Sequence, residues 1–495
     1  MSPVWGLLVV QASCVDEVAG CEVERLLGVV ERLTAELASS EERNGVLAGQ
    51  VQALTVQVAA LVVQVADLTA RLGQDSSNSD LPPSKDPPGA RQRSLRRKSG
   101  RRPGGQMGHE GKTLQVVHTP DRVVEHRPGA CAGCGDLLDT ACDPVRTEVR
   151  QVFDLPADLR LEVVEHRLAS LRCSGCGKVT KAGAPPGAPR QVQYGPRVSS
   201  LVVHLVSSHY VAVERAADLV RDLFGYKASA GTITTMLERA ATAITTHVKP
   251  VISQVLARAP VVHADETGFK VAGKTRWAHS ASSPAATWIE VHHSRGRAAM
   301  DDIGLLGKVT GTLVHDAYAT YDGFTSVRAH QLCNAHVLRE LQSVTDTHEH
   351  PDGQWCWADQ AAHALTGIIA GTTTLAAGRH LIRSALAVAP TNDPDPPGKT
   401  GKKHAALRRR LTSRQDDYLR FAADPQVPAT NNEAEQQIRT FKVKQKVSGS
   451  MRTLDGANRF AAVRSYVSTA RKNHVSPLEA ITSLFSDNIW LPVAP

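Results

Sequence analysis

Apolar residues recur along the first part of the chain with a heptad period. Val23, Val30, Leu37, Val51, Val58, Val65 and Leu72 fall at position a, and Leu26, Leu33, Leu47, Leu54, Leu61 and Leu68 at position d. Only Asn44 at a and Ser40 at d interrupt the seam. A repeat sustained for about seven heptads predicts a coiled coil, here over 23–73. Valine at a with leucine at d favours two parallel strands, and a lone a-position asparagine fixes their register at some cost in stability. A single amphipathic helix packed within its own domain is the alternative. Residues 1–22 form an unassigned tail, because the apolar run Trp5 to Val10 lacks a basic leader and is too short to span a bilayer.

After Leu72 the pattern dissolves into Ser, Asn, Pro and Lys, a composition that buries nothing and predicts a linker over 74–112. Its second half carries Arg91, Arg93, Arg96, Arg97, Lys98, Arg101 and Arg102 with no acid among them, as a phosphate-neutralising arm does and as a merely solvated linker also could. Over 113–183 two knuckles, Cys131-Ala-Gly-Cys134-Gly and Cys173-Ser-Gly-Cys176-Gly, place thiols at zinc spacing. Strand-like alternation at Glu148 to Phe153 and Leu161 to Arg167 resembles the hairpins of a zinc ribbon. Four thiols close a tetrahedral site, so one zinc ion would be structural; Cys142 lies outside both knuckles. Over 190–250 the period becomes helical, with a break at Phe224-Gly225-Tyr226 and a new helix near Ser229. That arrangement is compatible with a helix-turn-helix reading DNA, and equally with a plain helical spacer.

From about 255 short apolar runs end in acid. Ala259-Pro-Val-Val-His-Ala is followed by Asp265, and Gly311-Thr-Leu-Val-His by Asp316, 51 residues on. Each aspartate is expected to emerge where a buried strand ends, with a hairpin from Arg276 to Ala281 and Trp288 to His292 between them. A third acid, Glu435, follows Asn431 and Asn432, either of which suits a helix N-cap. The catalytic core is placed at 255–475, with a helical insertion at about 337–428 whose loop runs from Thr391 to Lys403, and a C-terminal tail at 476–495. Carboxylates converging from rigid elements suit two hard cations, one acting on the attacking oxygen and one on the leaving oxygen of a phosphodiester. Between the second and third acids, Cys333-Asn-Ala-His336 offers an auxiliary pair, with His336 touching a phosphate or orienting a water, or simply packing. Arg439, Lys442, Lys444, Lys446 and Arg452 then run without an acid, a DNA-backbone track or a solvated face.

Taken in order, these segments resemble the transposases of the insertion sequence 66 family, a bacterial group with an Asp-Asp-Glu core. The resemblance rests on the zipper-like start, SSNSDLPPSKD, the two-knuckle domain, ADETGFKV, HDAYATYDGF, CNAHVLREL and TNNEAEQQIRTFKVKQKVSGSMRT. It implies an α/β multidomain chain: a ribonuclease-H-like catalytic core with a helical insertion, preceded by a coiled coil, a zinc ribbon and a helical region. It also implies two magnesium or manganese ions on Asp265, Asp316 and Glu435, recognition of terminal inverted repeats, and accessory proteins from the same element. The family's Asn-Asn-x-x-Glu pattern selects Glu435 over Glu433; Gln436 stands where the family commonly has Arg, which puts one phosphate contact in doubt.

Composition adds less. The 495 residues are too many for one ordinary core and imply about three domains. Lys and Arg outnumber Asp and Glu by 57 to 49, for a net charge of +8, which favours a polyanionic partner such as double-stranded DNA. Nine cysteines, four of them in knuckles, fit a reducing, cytoplasmic and nucleoid-associated setting with no membrane. The expected protein is a dimeric or higher-order DNA transposase. The rivals are a non-catalytic zinc-containing DNA-binding regulator or inactive copy, which leaves the three acids unexplained, and a structure-specific nuclease, which leaves the DNA-gripping segments unexplained.

Overall fold

The computed structural model describes residues 4–72, 114–138, 143–185, 187–347, 355–396, 398–486 and 488–493. The chain opens with one 69-residue helix, α1 (Val4–Leu72), which begins inside the stretch left unassigned by sequence. Its apolar seam is open: Val23, Leu33, Leu54 and Leu61 each keep more than half of their surface. A window within Glu22–Thr69 reaches a mean hydropathy of 1.8, enough by length and composition alone to cross a bilayer.

Between residues 114 and 192 no described residue is buried. The one sheet there is a hairpin of β1 (Ser170–Arg172) and β2 (Val179–Lys181) around the second knuckle, with Leu171 opposite Thr180. The alternating segments at 148–153 and 161–167 do not form strands. Their apolar side chains, such as Val152 at 90% exposure, have no second layer to cover them, and isolated pairing is marginal without one.

The helical region consists of α2 (Pro196–Ser208), α3 (Val213–Phe224), α4 (Ala230–Ala243), a π turn at Ile244–Val248 and α5 (Lys249–Arg258). Gly225, left-handed at φ 77°, closes α3, and Ser229 caps α4 by accepting the Thr232 N–H at 3.0 Å. Val203, Val220, Ile233 and Ile252 are buried together in a core that continues into one face of the sheet that follows, through Val262 and Leu313.

A five-stranded sheet follows, in the order β5-β4-β3-β6-β7. Strands β3 (Val261–Val271), β4 (Lys274–Ser282) and β5 (Thr287–His292) form an antiparallel meander. Helix α6 (Arg297–Ile303) leads back to β6 (Thr312–His315), parallel to β3, and β7 (Ala329–Leu332) lies parallel to β6. Gly311 opens β6 where a Cβ would stand 2.2 Å from the Ala259 carbonyl oxygen, so only glycine lets the two strands approach there. The two faces of β3 enter different clusters. Val262 and Ala264 pack with Leu313 and Tyr321, whereas Phe269 and Val271 pack with Phe441 and Phe460.

Helices α7 (Asn334–Thr347), α8 (Trp357–Ala370), α9 (Leu375–Asn392), α10 (Gly398–Ser413) and α11 (Gln415–Ala423) separate β7 from α12 (Asn432–Ser448). The loop expected from Thr391 to Lys403 is shorter, because α9 runs through Asn392 and α10 begins at Gly398. After α13 (Leu454–Lys472) the expected tail instead contains α14 (Pro477–Ser483), capped by Ser476. Ala480 and Ile481 are buried in the core of the α2 to α5 region, and Tyr466 Oη donates to the Trp490 carbonyl at 2.8 Å. Contacts group residues 1–92 with 336–416 into one compact unit and 93–335 with 417–495 into another.

Candidate active site

The sequence places Asp265 at a strand end, but β3 continues to Val271, because the turn at Ala272-Gly273 keeps it paired with β4 from His263↔Ser282 to Val271↔Lys274. What ends near Asp265 is the parallel pairing. Val261 stands opposite Thr312 and His263 opposite Val314, and the same offset of 51 residues carries Asp265 to Asp316. Both aspartates therefore stand at the same level, just beyond the last paired rungs of β3 and β6. Asp265 is mostly buried, with Oδ1 accepting the Glu266 N–H at 2.9 Å. The Oδ1 of Asp316 accepts the Tyr318 N–H at 3.0 Å across Ala317, a non-glycine residue held at φ 72°. Such strain persists only where surrounding structure enforces it.

The helix that carries Glu435 is anchored through Asn431, whose side chain does not cap α12 as the sequence suggests. Fully buried, it donates from Nδ2 to the Ala264 carbonyl at 2.8 Å and accepts His263 Nδ1 at 3.1 Å, while its own N–H points to Cys333 Sγ at 3.2 Å. Asn431 thus bolts the start of α12 to the residue before Asp265. The Glu435 N–H closes the first turn on the Asn431 carbonyl at 3.2 Å, which places Glu435 one turn above that bolt. Lys442 Nζ, from the proposed DNA track, donates to the Gly268 carbonyl and holds the same helix to β3 further along. Glu433 points elsewhere: Lys472 Nζ lies 2.7 Å and Ser282 Oγ 3.1 Å from its Oε1. Burial works against the charge of Glu433, but the Lys472 and Ser282 contacts outweigh it and keep its pKa below the usual range. The carboxylates of Asp265, Asp316 and Glu435 do not close within 4.8 Å of one another. As oxygen donors on three rigid elements, their chemistry suits hard divalent cations.

Next to Asp265 on β3 stands a second carboxylate, one that no sequence pattern marks. Glu266, the next residue after Asp265, has a side chain with no exposed surface. Arg295 Nε donates to its Oε1 at 2.8 Å, and Tyr321 Oη donates to its Oε2. Burial, then Asp316, raises the Glu266 pKa against the lowering by Tyr321 and Arg295. Alternation along a strand is the one sequence signal separating Glu266 from Asp265.

The remaining candidates divide. Arg439, Lys446 and Arg452 are exposed, whereas Lys444 is partly buried and donates to Ser448 Oγ. Cys333 is buried, and His336 follows in the first turn of α7. The α4 helix, the candidate reading helix, is held by Glu238 to Arg459 at 3.0 Å and by Arg239 stacked on Phe485. The two cysteine knuckles are the same turn twice: Gly135 N–H to the Cys131 carbonyl at 3.0 Å, and Gly177 N–H to the Cys173 carbonyl at 2.9 Å. Gly135 and Gly177 adopt φ 83° and 70°. The N–H groups of Cys134 and Gly133 lower the Cys131 pKa, and those of Cys176 and Gly175 lower that of Cys173. Both knuckles are thereby prepared for thiolate ligation, although no three of the four sulfurs lie within 4.8 Å of one another. The basic arm from Arg91 through Arg93, Arg96, Arg97, Lys98 and Arg101 to Arg102, together with Cys142, lies outside the described residues.

Residues 191–459, more than half of the chain, match the Transposase IS66 family, and the chain belongs to that family. Residues 128–177 match the zinc-finger binding domain of transposase IS66, and residues 17–115 match a family of unknown function. No curated protein matches the chain.

Proposed function

We propose that this transposase is a metal-dependent polynucleotidyl transferase of the Asp-Asp-Glu type, which binds the terminal inverted repeats of its element and cuts and joins DNA there. Asp265, Asp316 and Glu435 are the residues that would hold two magnesium or manganese ions. The observation that carries this reading is the pairing of register with anchor: one strand offset aligns the two aspartates, and Asn431 fixes the glutamate's helix to the residue beside the first. The strand order β5-β4-β3-β6-β7, with an antiparallel meander and two parallel strands, supports a ribonuclease-H-like core.

Two divalent ions at such carboxylates supply activation of the attacking oxygen and stabilisation of the leaving one. The chain's own part is to hold the acids on elements that do not move and to exclude Glu433 from them by its pairing with Lys472. Exposed Arg439, Lys446 and Arg452 would neutralise DNA phosphates. One zinc ion on Cys131, Cys134, Cys173 and Cys176 would order the region between them. The open seam of α1 supports a homodimer or higher oligomer through a coiled coil. Accessory proteins of the element and action on nucleoid DNA in the cytoplasm complete the reading.

The test is magnesium-dependent cleavage of labelled DNA carrying the element ends. Asp265→Ala, Asp316→Ala and Glu435→Ala should each abolish cutting while DNA binding persists, and Glu433→Gln should lower stability but keep cutting. Loss of cutting in Glu433→Gln with retention in Glu435→Ala would reverse the assignment. Binding without wild-type cutting would favour a regulator or inactive copy, and cutting without joining a nuclease.

A further inference from the structure

The Glu266 cluster lies beside the carboxylate site but has no part in holding metal. Glu266 has no exposed side-chain surface, so it offers no ligand to an ion reached from solvent. Its partner is different. The Arg295 side chain keeps 39% of its surface although its Nε and Nη2 both lie within 2.8 Å of Glu266 Oε1. The guanidinium is also held from its faces, 4.1 Å from the centre of the Tyr318 ring and 5.1 Å from that of Trp277. Two of these contacts, those of Tyr318 and Glu266, lead back to Asp316 and Asp265. Tyr318 is the residue whose N–H binds Asp316, Trp277 stands opposite Gly268 on β4, and Glu266 follows Asp265. Asp316 is near enough to act electrostatically on both Glu266 and Arg295.

An arginine present only to neutralise a buried carboxylate gains nothing from exposure. A planar guanidinium fixed along one edge by a carboxylate and across its faces by rings, with N–H groups still facing outward, is organised to meet a second anion. Beside carboxylates that hold cations for phosphodiester chemistry, the anion available is a DNA phosphate.

We propose that Arg295 contacts a backbone phosphate at or next to the cleaved bond, and that Glu266, supported by Tyr321, is its positioning residue. This rests on the transposase reading above. It assigns the buried carboxylate adjacent to Asp265 to orienting DNA rather than to metal.

The test is a binding cycle with the full chain, pairing Arg295→Gln with element-end DNA in which single phosphates across the cleavage site are replaced by neutral methylphosphonates. Wild type should lose about tenfold in affinity at one phosphate. Arg295→Gln should lose about tenfold on unmodified DNA, lose nothing further at that phosphate, and show a salt slope shallower by about one. Glu266→Gln, which keeps the arginine but not its carboxylate partner, should show weakened coupling at the same phosphate and full effects elsewhere. Additive effects at every phosphate, or an Arg295→Gln protein that binds all DNAs like wild type and differs only in melting temperature, would overturn the proposal. Since binding is the readout, wild type that binds but does not cut fails the transferase reading without touching this one. Wild type that binds no element-end DNA overturns both.

Discussion

His204 on α2 shows how a single half-buried ring couples fold to pH. Burial, then the charges of His209, Arg471 and Arg464, lower its pKa to about 4 from 6.5. The unfolded chain therefore takes up a proton as pH falls below about 6.5, which the folded chain resists until about 4, so stability declines across that window. His204→Asn should flatten this acid loss, measured by urea denaturation at pH 7 and pH 5; equal losses in both proteins would refute it. Asn431 carries a larger functional effect. Asn431→Ala leaves the Ala264 carbonyl without its buried donor and releases the start of α12, at a cost of about 1–3 kcal/mol. Displacing Glu435 by even a fraction of a turn should slow cleavage by about a hundredfold. Single-turnover cutting rates at saturating DNA check this, and a change in stability alone with the rate preserved would deny Asn431 its positioning role.

Among the described residues, the apolar seam of α1 stays largely exposed. Its hydropathy allows a bilayer span by composition, but its valine and leucine positions follow a heptad, with Gln50, Gln57 and Gln64 repeating on another face. Seven-residue spacing is what a partner helix requires, whereas lipid imposes no such period. Deletion of residues 23–72 should convert a dimer into a monomer by light scattering. A mass unchanged by the deletion, or partition of the full chain into detergent, would count against the coil.

Across the whole molecule the parts depend on different forces. The sheet and the helices from α2 to α5 bury large side chains such as Phe324, Phe441 and Tyr466, and need no ion to do so. Among its described residues the segment from 114 to 185 buries none, and it is tied by a hairpin of two three-residue strands, an Ala130–Leu137 bridge and the hydrogen bonds of Gln151 to Val117. Without an apolar core its order must come from ligation, so zinc binding there amounts to folding free energy. Chelation, or Cys173→Ser, should raise proteolysis and hydrogen exchange across 114–185 while the melting transition of the remainder is kept. Equal protection with and without metal would remove zinc from that role.

The sequence by itself determined the heptad seam, the two knuckles, the order of the segments and the motifs that mark the family, since these are local patterns whose spacing is their meaning. It marked Asp265 and Asp316 by the apolar runs ahead of them. It did not reveal that β3 runs on past Asp265, that residues after 476 hold a packed helix, or that the runs at 148–153 and 161–167 lack strand partners. Those outcomes were decided by tertiary structure, because each depends on what lies opposite: β4 for Asp265, the α2 to α5 core for α14, and no paired strand for the two runs. The different contacts of Glu433 and Glu435, and of Asp265 and Glu266, have the same origin. Packing alone decides which of two nearby acids meets a lysine, as Glu433 does, or an arginine, as Glu266 does.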